Sequence, residues 1–292
     1  MKKLLLVLVI FLCTGQVLFA EISRAEKTAL LDLYESTNGQ HWVRKWDLSE
    51  PVSLWYGVKV LNEQVVEINL FRNNLMGPLP ESIGQLEHLK ILNLAFNNIT
   101  GELPESVVQL TKLQVLKLEM NRIKGSIPVE IGNLTELKEL SAFNNFLSGR
   151  IPRSIGKISG LKTLNLSSNN LIGEIPASVG NLTYLESLGL FENTLYGEIP
   201  KELGQLVQLK ELVLANNQLG GDIPKEFGQL ASLKILQIQN NKFDSFKNLE
   251  IMDTRQFLVI DYDAKDTKRD FKDVNKSRTR MADTKFEDVD EN

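Results

Sequence analysis

A strict period of 24 residues runs through most of this chain and leaves it one kind of architecture. Units begin at Val65, Leu89, Leu113, Leu137, Leu161, Leu185, Leu209 and Leu233, with no insertion or deletion between them. The stretch Leu89 to Pro104 reads LxxLxLxxNxLxGxLP and runs on into an apolar-rich segment ending near Leu110. Self-similarity at such a period marks a stack of small units rather than a conventional globule.

Each recurring position has a physical task. Leu92 with Leu94, and Leu116 with Leu118, alternate with period two, so they leave one face of a short strand. One unit cannot bury that face alone; neighbours laid side by side as a parallel sheet can. At about 4.8 Å per strand, the eight units predict a sheet roughly 35 to 40 Å long. The fold expected is an α/β repeat solenoid, a curved right-handed superhelix. Its parallel sheet lies on the concave face, and short 3-10 or helical turns lie on the convex side.

Asn73, Asn97, Asn121, Asn145, Asn169, Asn193, Asn217 and Asn241 fall where the chain leaves each strand. An amide there donates and accepts at once and satisfies backbone groups that the turn leaves open, so these residues are assigned a structural role. Seven glycines from Gly77 to Gly221 and seven prolines from Pro80 to Pro224 recur with them and define the return path. Ile83, Ile131 and Leu203, each followed by Gly, suggest the short turns. Ser245, Lys247 and Asn248 break the rule in the last unit, which signals the end of the stack.

The flanks differ from the repeats. Residues 1–20 read as an export signal: basic Lys2 and Lys3, apolar Leu4 to Leu12, and small Ala20 at the cleavage point. The apolar run is shorter than the roughly 20 residues that a bilayer requires. Cys13 is the only cysteine; Leu12 before it disfavours lipid attachment, and after cleavage no thiol or disulfide remains. Residues 21–64 are expected to form an N-terminal cap, with Ser23 and Glu26 as a capping box and Trp42, Trp46, Trp55 and Tyr56 sealing the core. Residues 249–264, containing QFLVIDYD, would cover the far end, and residues 265–292 form a charged tail expected to be disordered.

The repeats resemble the plant-type leucine-rich repeat, LxxLxLxxNxLxGxIPxxLGxLxx. Leu161 to Tyr184 matches it at Leu164, Leu166, Asn169, Leu171, Gly173, Ile175, Pro176, Gly180 and Leu182. The resemblance covers Val65 to about Asn248 and extends to receptor-kinase ectodomains, polygalacturonase-inhibitor-type proteins and secreted bacterial proteins. In plant relatives the cap reads CxWxGVxC. Here Ser53 and Val60 stand at the cysteine positions, which favours the bacterial members and makes the sequons at Asn98 and Asn181 coincidental. The resemblance implies an exported recognition module, secreted, periplasmic or on the cell surface, that binds a protein or peptide. The alternative is an inhibitor or scaffold docking on a polysaccharide-degrading enzyme or a cell-surface glycan.

The free concave positions lie two, four, six and seven residues into each unit. Phe71, Phe96, Met120 and Phe143 come from consecutive units, with Phe191 two further on. They are expected to form an exposed apolar strip, bordered by Arg72, Lys117, Glu119, Glu139 and Glu192, that meets the ligand. Alternatively, the aromatics lean sideways and cover neighbouring rungs. The net charge of -4, with Lys and Arg interspersed among acids and no basic stripe, argues against nucleic acid. His41 and His88 stand apart from any nucleophile or metal-ligand pattern, and no cleft is legible around Glu119 and Glu139. The expectation is therefore no catalysis, no metal and no cofactor.

Overall fold

The computed structural model describes residues 22–252, 255 and 257–263. The expected signal segment and charged tail lie outside the described residues. The chain enters through a helix, Arg24–Ser36. The Ser23 hydroxyl accepts from the Glu26 N–H at 3.2 Å, and the Glu26 carboxylate accepts from the Ser23 N–H, closing the capping box. The other Glu26 oxygen accepts from the Val65 N–H at 2.9 Å, so one carboxylate ties the helix to the first repeat.

Tyr34 of that helix packs against Trp42 and Trp46, with Trp55 behind them, all nearly fully buried. Trp46 stacks on Trp55 with ring centroids 4.8 Å apart and meets Trp42 edge-on at 4.9 Å. Each indole N–H has a carbonyl: Trp42 donates to Thr37, Trp46 to Tyr56 and Trp55 to Glu50. Burial therefore leaves no polar edge unpaired.

The repeats then stack as the period requires. Among the described residues the main sheet has ten strands. Its first pair, Val58–Leu61 on Gln64–Asn69, is antiparallel. Every later pair is parallel and in register 24 residues apart, as in Leu92↔Leu116↔Leu140↔Leu164. The apolar residues that start each unit, and those three and five residues on, are buried along the whole stack, each leucine contributing about 1.5–3 kcal/mol of burial.

That register runs past the eight units. Val259–Asp261 pairs with Ile235–Gln237, Ile235 lying opposite Val259. Phe257, Ile260 and Tyr262 thus occupy the positions of Leu233, Leu236 and Ile238 one rung earlier. The segment expected only to cover the far end is itself a rung.

A second sheet is the main departure from expectation. Lys124–Ser126, Phe146–Gly149, Asn170–Gly173, Thr194–Glu198, Gln218–Asp222 and Lys242–Ser245 form six strands on the path leaving each asparagine turn. Met76–Pro78 pairs with Asn98–Thr100 in the same manner. Here partners lie 22 residues apart, as in Lys124↔Phe146 and Tyr196↔Gln218. Gly77, at φ +119°, shows why glycine recurs on this path: a Cβ would lie 2.1 Å from the Ser36 carbonyl, where the cap helix docks. Each recurring proline from Pro80 onward, except Pro128, then starts a 3-10 turn directly; the turn after Pro128 begins at Ile131.

Candidate functional site

The backbone of the concave face is set by two columns of side chains. Asn97 bonds as the internal asparagines do, its Oδ1 accepting from the Leu75 N–H and its Nδ2 donating to the Leu70, Leu94 and Ala95 carbonyls, and in addition it accepts from the Asn73 N–H. Each amide therefore stitches one rung to its neighbour. Two residues before each asparagine is the sixth position, and immediately before it is the seventh. Arg72, Phe96, Met120, Asn144, Ser168, Glu192, Asn216 and Asn240, all seventh, have φ between 50° and 59°. That left-handed geometry aims each N–H at the next rung, as in Arg72 to the Ala95 carbonyl (3.0 Å) and Phe96 to that of Glu119 (2.9 Å). It costs a non-glycine residue about 1–2 kcal/mol and presents its side chain from a fixed backbone.

On this frame Phe71 and Phe96 meet edge-to-face, centroids 5.2 Å apart, and Phe71 is 45% exposed. Beside Phe71 is a depression of about 560 Å³, lined by Tyr56, Lys59, Glu67, Asn69 and Asn93. Arg44 lies over the Tyr56 ring, 4.7 Å from its centroid. Further along, side chains at the seventh position pair between rungs. Asn144 donates to the Met120 sulfur, Ser168 to Glu192, and Asn240 to Asn216.

The expected continuous, exposed strip is corrected. Phe96, Met120, Phe143 and Phe191 are half-buried rather than exposed. The sixth position is not free either: Ala95, Ser167 and Ala215 are buried at 1% exposure or less. Those small residues lie on rungs next to the large ones, so the aromatics lean over their neighbours. Glu119, expected as a free bordering charge, is only 9% exposed. Burial pushes its carboxyl up from the ordinary value; its own backbone N–H, the Ser141 hydroxyl and Lys117 counter this in part. Its Oε2 has no hydrogen-bond partner among the described residues. Lys117 instead pairs with Glu139 at 2.9 Å, while Arg72 and Glu192 are exposed as expected.

The residue directly after each unit's first is not among the free positions named from the sequence, and it corrects the expectation of no basic stripe. Lys90, Lys138, Lys162, Lys210 and Lys234 are interspersed along the chain but fall in one column, all exposed. Reading that column down the repeats would have found them. His41 bonds to the Asn38 side chain, and His88 is exposed at a unit boundary. No helix among the described residues is long and apolar enough to cross a membrane.

Comparison with known proteins agrees with this geometry. The family model described as a leucine-rich repeat region matches residues 69–149 and 143–254. A search of curated proteins matched none. Among solved structures, the PEPR1–AtPEP1 complex is 32% identical with a TM-score of 0.69, over 76% of this chain and 32% of that one. The Arabidopsis receptor kinase HAESA, in complex with the peptide hormone IDA and the co-receptor SERK1, is 32% identical with a TM-score of 0.60, over 75% and 41%. A leucine-rich-repeat protein of Leptospira interrogans is 37% identical with a TM-score of 0.54, over 62% and 45%. The chain thus spans less than half the length of these structures. With the family model matching well over half of its 292 residues, the chain belongs to the leucine-rich-repeat proteins.

Proposed function

We propose that this chain is an exported, non-catalytic recognition module whose concave face binds a protein or peptide. Its domain limits follow the sequence reading: a signal over residues 1–20, a cap over 21–64, repeats over 65–248, an end segment over 249–264 and a tail over 265–292. The cap without cysteines favours a bacterial source. One observation carries the reading. The N-terminal half of the concave sheet holds an aromatic pair, exposed Phe71 against half-buried Phe96, between a lined depression and the Lys117–Glu139 ion pair. Apolar contact there would supply affinity, and Arg72 and Glu192 would orient a polar partner. Similar receptor structures solved with peptide hormones, HAESA with IDA among them, support a peptide-sized ligand.

Panning a displayed library of random peptides against the full chain tests this, scored by parallel panning against Phe71→Ser/Phe96→Ser and Phe143→Ser variants. Enriched peptides should lose at least tenfold in affinity on the double variant, with circular dichroism unchanged. Peptides bound equally well by wild type and variants would reject the site.

A further inference from the structure

The lysine column forms a second surface, separate from the aromatic one. Lys90, Lys138, Lys162, Lys210 and Lys234 each sit where the chain passes from the 3-10 turn into the strand, on the flank opposite the second sheet. From Lys90 to Lys234 the row crosses six rung steps, about 29 Å at the usual strand spacing. Only Glu186 interrupts it with opposite charge. Like charges on neighbouring rungs, as at Lys138 and Lys162, repel one another and weaken the sheet. Lys90, Lys138 and Lys234 have no ion pair among the described residues.

Glu186 shows what the row does with an anion. Lys162 and Lys210, one rung to either side, both reach its carboxylate. The hydrogen bond from Lys210 holds that carboxyl below its ordinary value. Alongside the middle of the row, three residues before Gln114, Lys138, Lys162 and Glu186, run the exposed hydroxyls of Thr111, Thr135, Ser159 and Thr183; Glu87, Val207 and Ala231 hold that place before Lys90, Lys210 and Lys234.

We propose that this flank binds a single linear acidic glycan, its carboxylate or sulfate groups on the lysine row and its hydroxyls on the threonine and serine strip. Charge complementarity and shape select that occupant. The row is one charge wide, which suits a single chain and not a membrane or a duplex. Single-stranded nucleic acid binds on successive aromatic platforms, whereas the exposed rings two residues before the row's positions, His88 and Tyr184, lie four rungs apart. An acidic peptide would gain affinity by adding a strand. Here the strands behind the row are already paired on both sides, from Gln64–Asn69 to Ile235–Gln237.

The experiment titrates the full chain with polygalacturonate and heparin as glycan probes, and with poly-L-glutamate and single-stranded oligothymidylate as competing polyanions. The variant Lys138→Gln/Lys162→Gln/Lys210→Gln/Lys234→Gln is compared with Lys124→Gln/Lys157→Gln/Lys201→Gln/Lys225→Gln, which removes equal charge from other flanks. One or both glycans should bind wild type at physiological ionic strength. The row variant should lose at least tenfold in affinity while the other stays within twofold. The slope of log affinity against log salt should fall by roughly 3 for the row variant. Equal losses in the two variants, no glycan binding by wild type, or tighter binding of polyglutamate or oligothymidylate would each overturn the proposal. Because Phe71→Ser/Phe96→Ser should retain glycan binding, failure here is distinguishable from failure of the concave site.

Discussion

The two ends of the stack close the same kind of core by different means. At the N-terminal end, Tyr34 and three tryptophans pack ring on ring under a capped helix, and the Arg44 backbone exchanges two hydrogen bonds with the Asn73 amide as a preceding rung would. At the C-terminal end, Phe243, Phe246 and Tyr262 are only half-buried around the last rung. There the Asp263 carboxylate accepts from the Asn240 and Asn241 N–H groups, whose counterparts one rung earlier, Asn216 and Asn217, donate to the Gln239 and Asn240 carbonyls. A solenoid's stability is a sum of units and nearest-neighbour interfaces, so each end must imitate the rung it lacks. The first end adds a buried aromatic cluster to that imitation; the second does little more than imitate.

The largest effect expected from breaking this difference is at Trp46. Trp46→Ala removes a buried ring that touches Tyr34, Trp42 and Trp55 and orphans the Tyr56 carbonyl. The loss should be about 3–5 kcal/mol, read as a lower urea midpoint for the whole stack. Phe246→Ala should cost about 1 kcal/mol and speed amide exchange only near residues 235–261. Equal shifts for the two substitutions would contradict the asymmetry. The ladder gives the next comparison. Asn97→Ala leaves buried backbone groups on two rungs without partners and should cost about 2–3 kcal/mol, whereas part-buried Asn241→Ala should cost about 1. Smaller still is Ser23→Ala, about 1 kcal/mol from the lost helix cap, seen as a shift in thermal midpoint.

What the sequence shows plainly is whatever repeats with a single physical cause. The leucines and the asparagines do, so the rungs and their spacing were legible before any coordinates. The second sheet was not, because its strands pair at a different offset and carry no alternation: Met76-Gly77-Pro78 and Lys124-Gly125-Ser126 do not look like strands. The left-handed backbone at the seventh position was hidden for the opposite reason. Phe96, Met120 and Glu192 resist that conformation by nature, and only the ladder behind them holds it. Nor could side-chain lean be read from a column. Phe143 and Glu119 look equally free in the sequence, yet one is half-buried and the other almost wholly so.

Glu119 supplies the finest comparison, between a buried carboxylate inside the stack and the one at its start. The Glu26 oxygens accept from Ser23 and from Val65, whereas Oε2 of Glu119 has no partner among the described residues. Desolvation raises the folded-state carboxyl of Glu119 above its unfolded value. Protonation is then favoured by folding, so its contribution to stability is fully present below the unfolded value near 4.5 and is lost as pH rises through the folded one. Glu119→Gln should accordingly stabilise the protein at neutral pH, with the gain shrinking as the buffer is acidified toward that value. Urea midpoints of both proteins across mildly acidic to neutral pH measure the difference. A glutamine variant less stable than wild type at neutral pH would mean that the concave surface needs this charge, and that the middle of the stack depends on it as the first rung depends on Glu26.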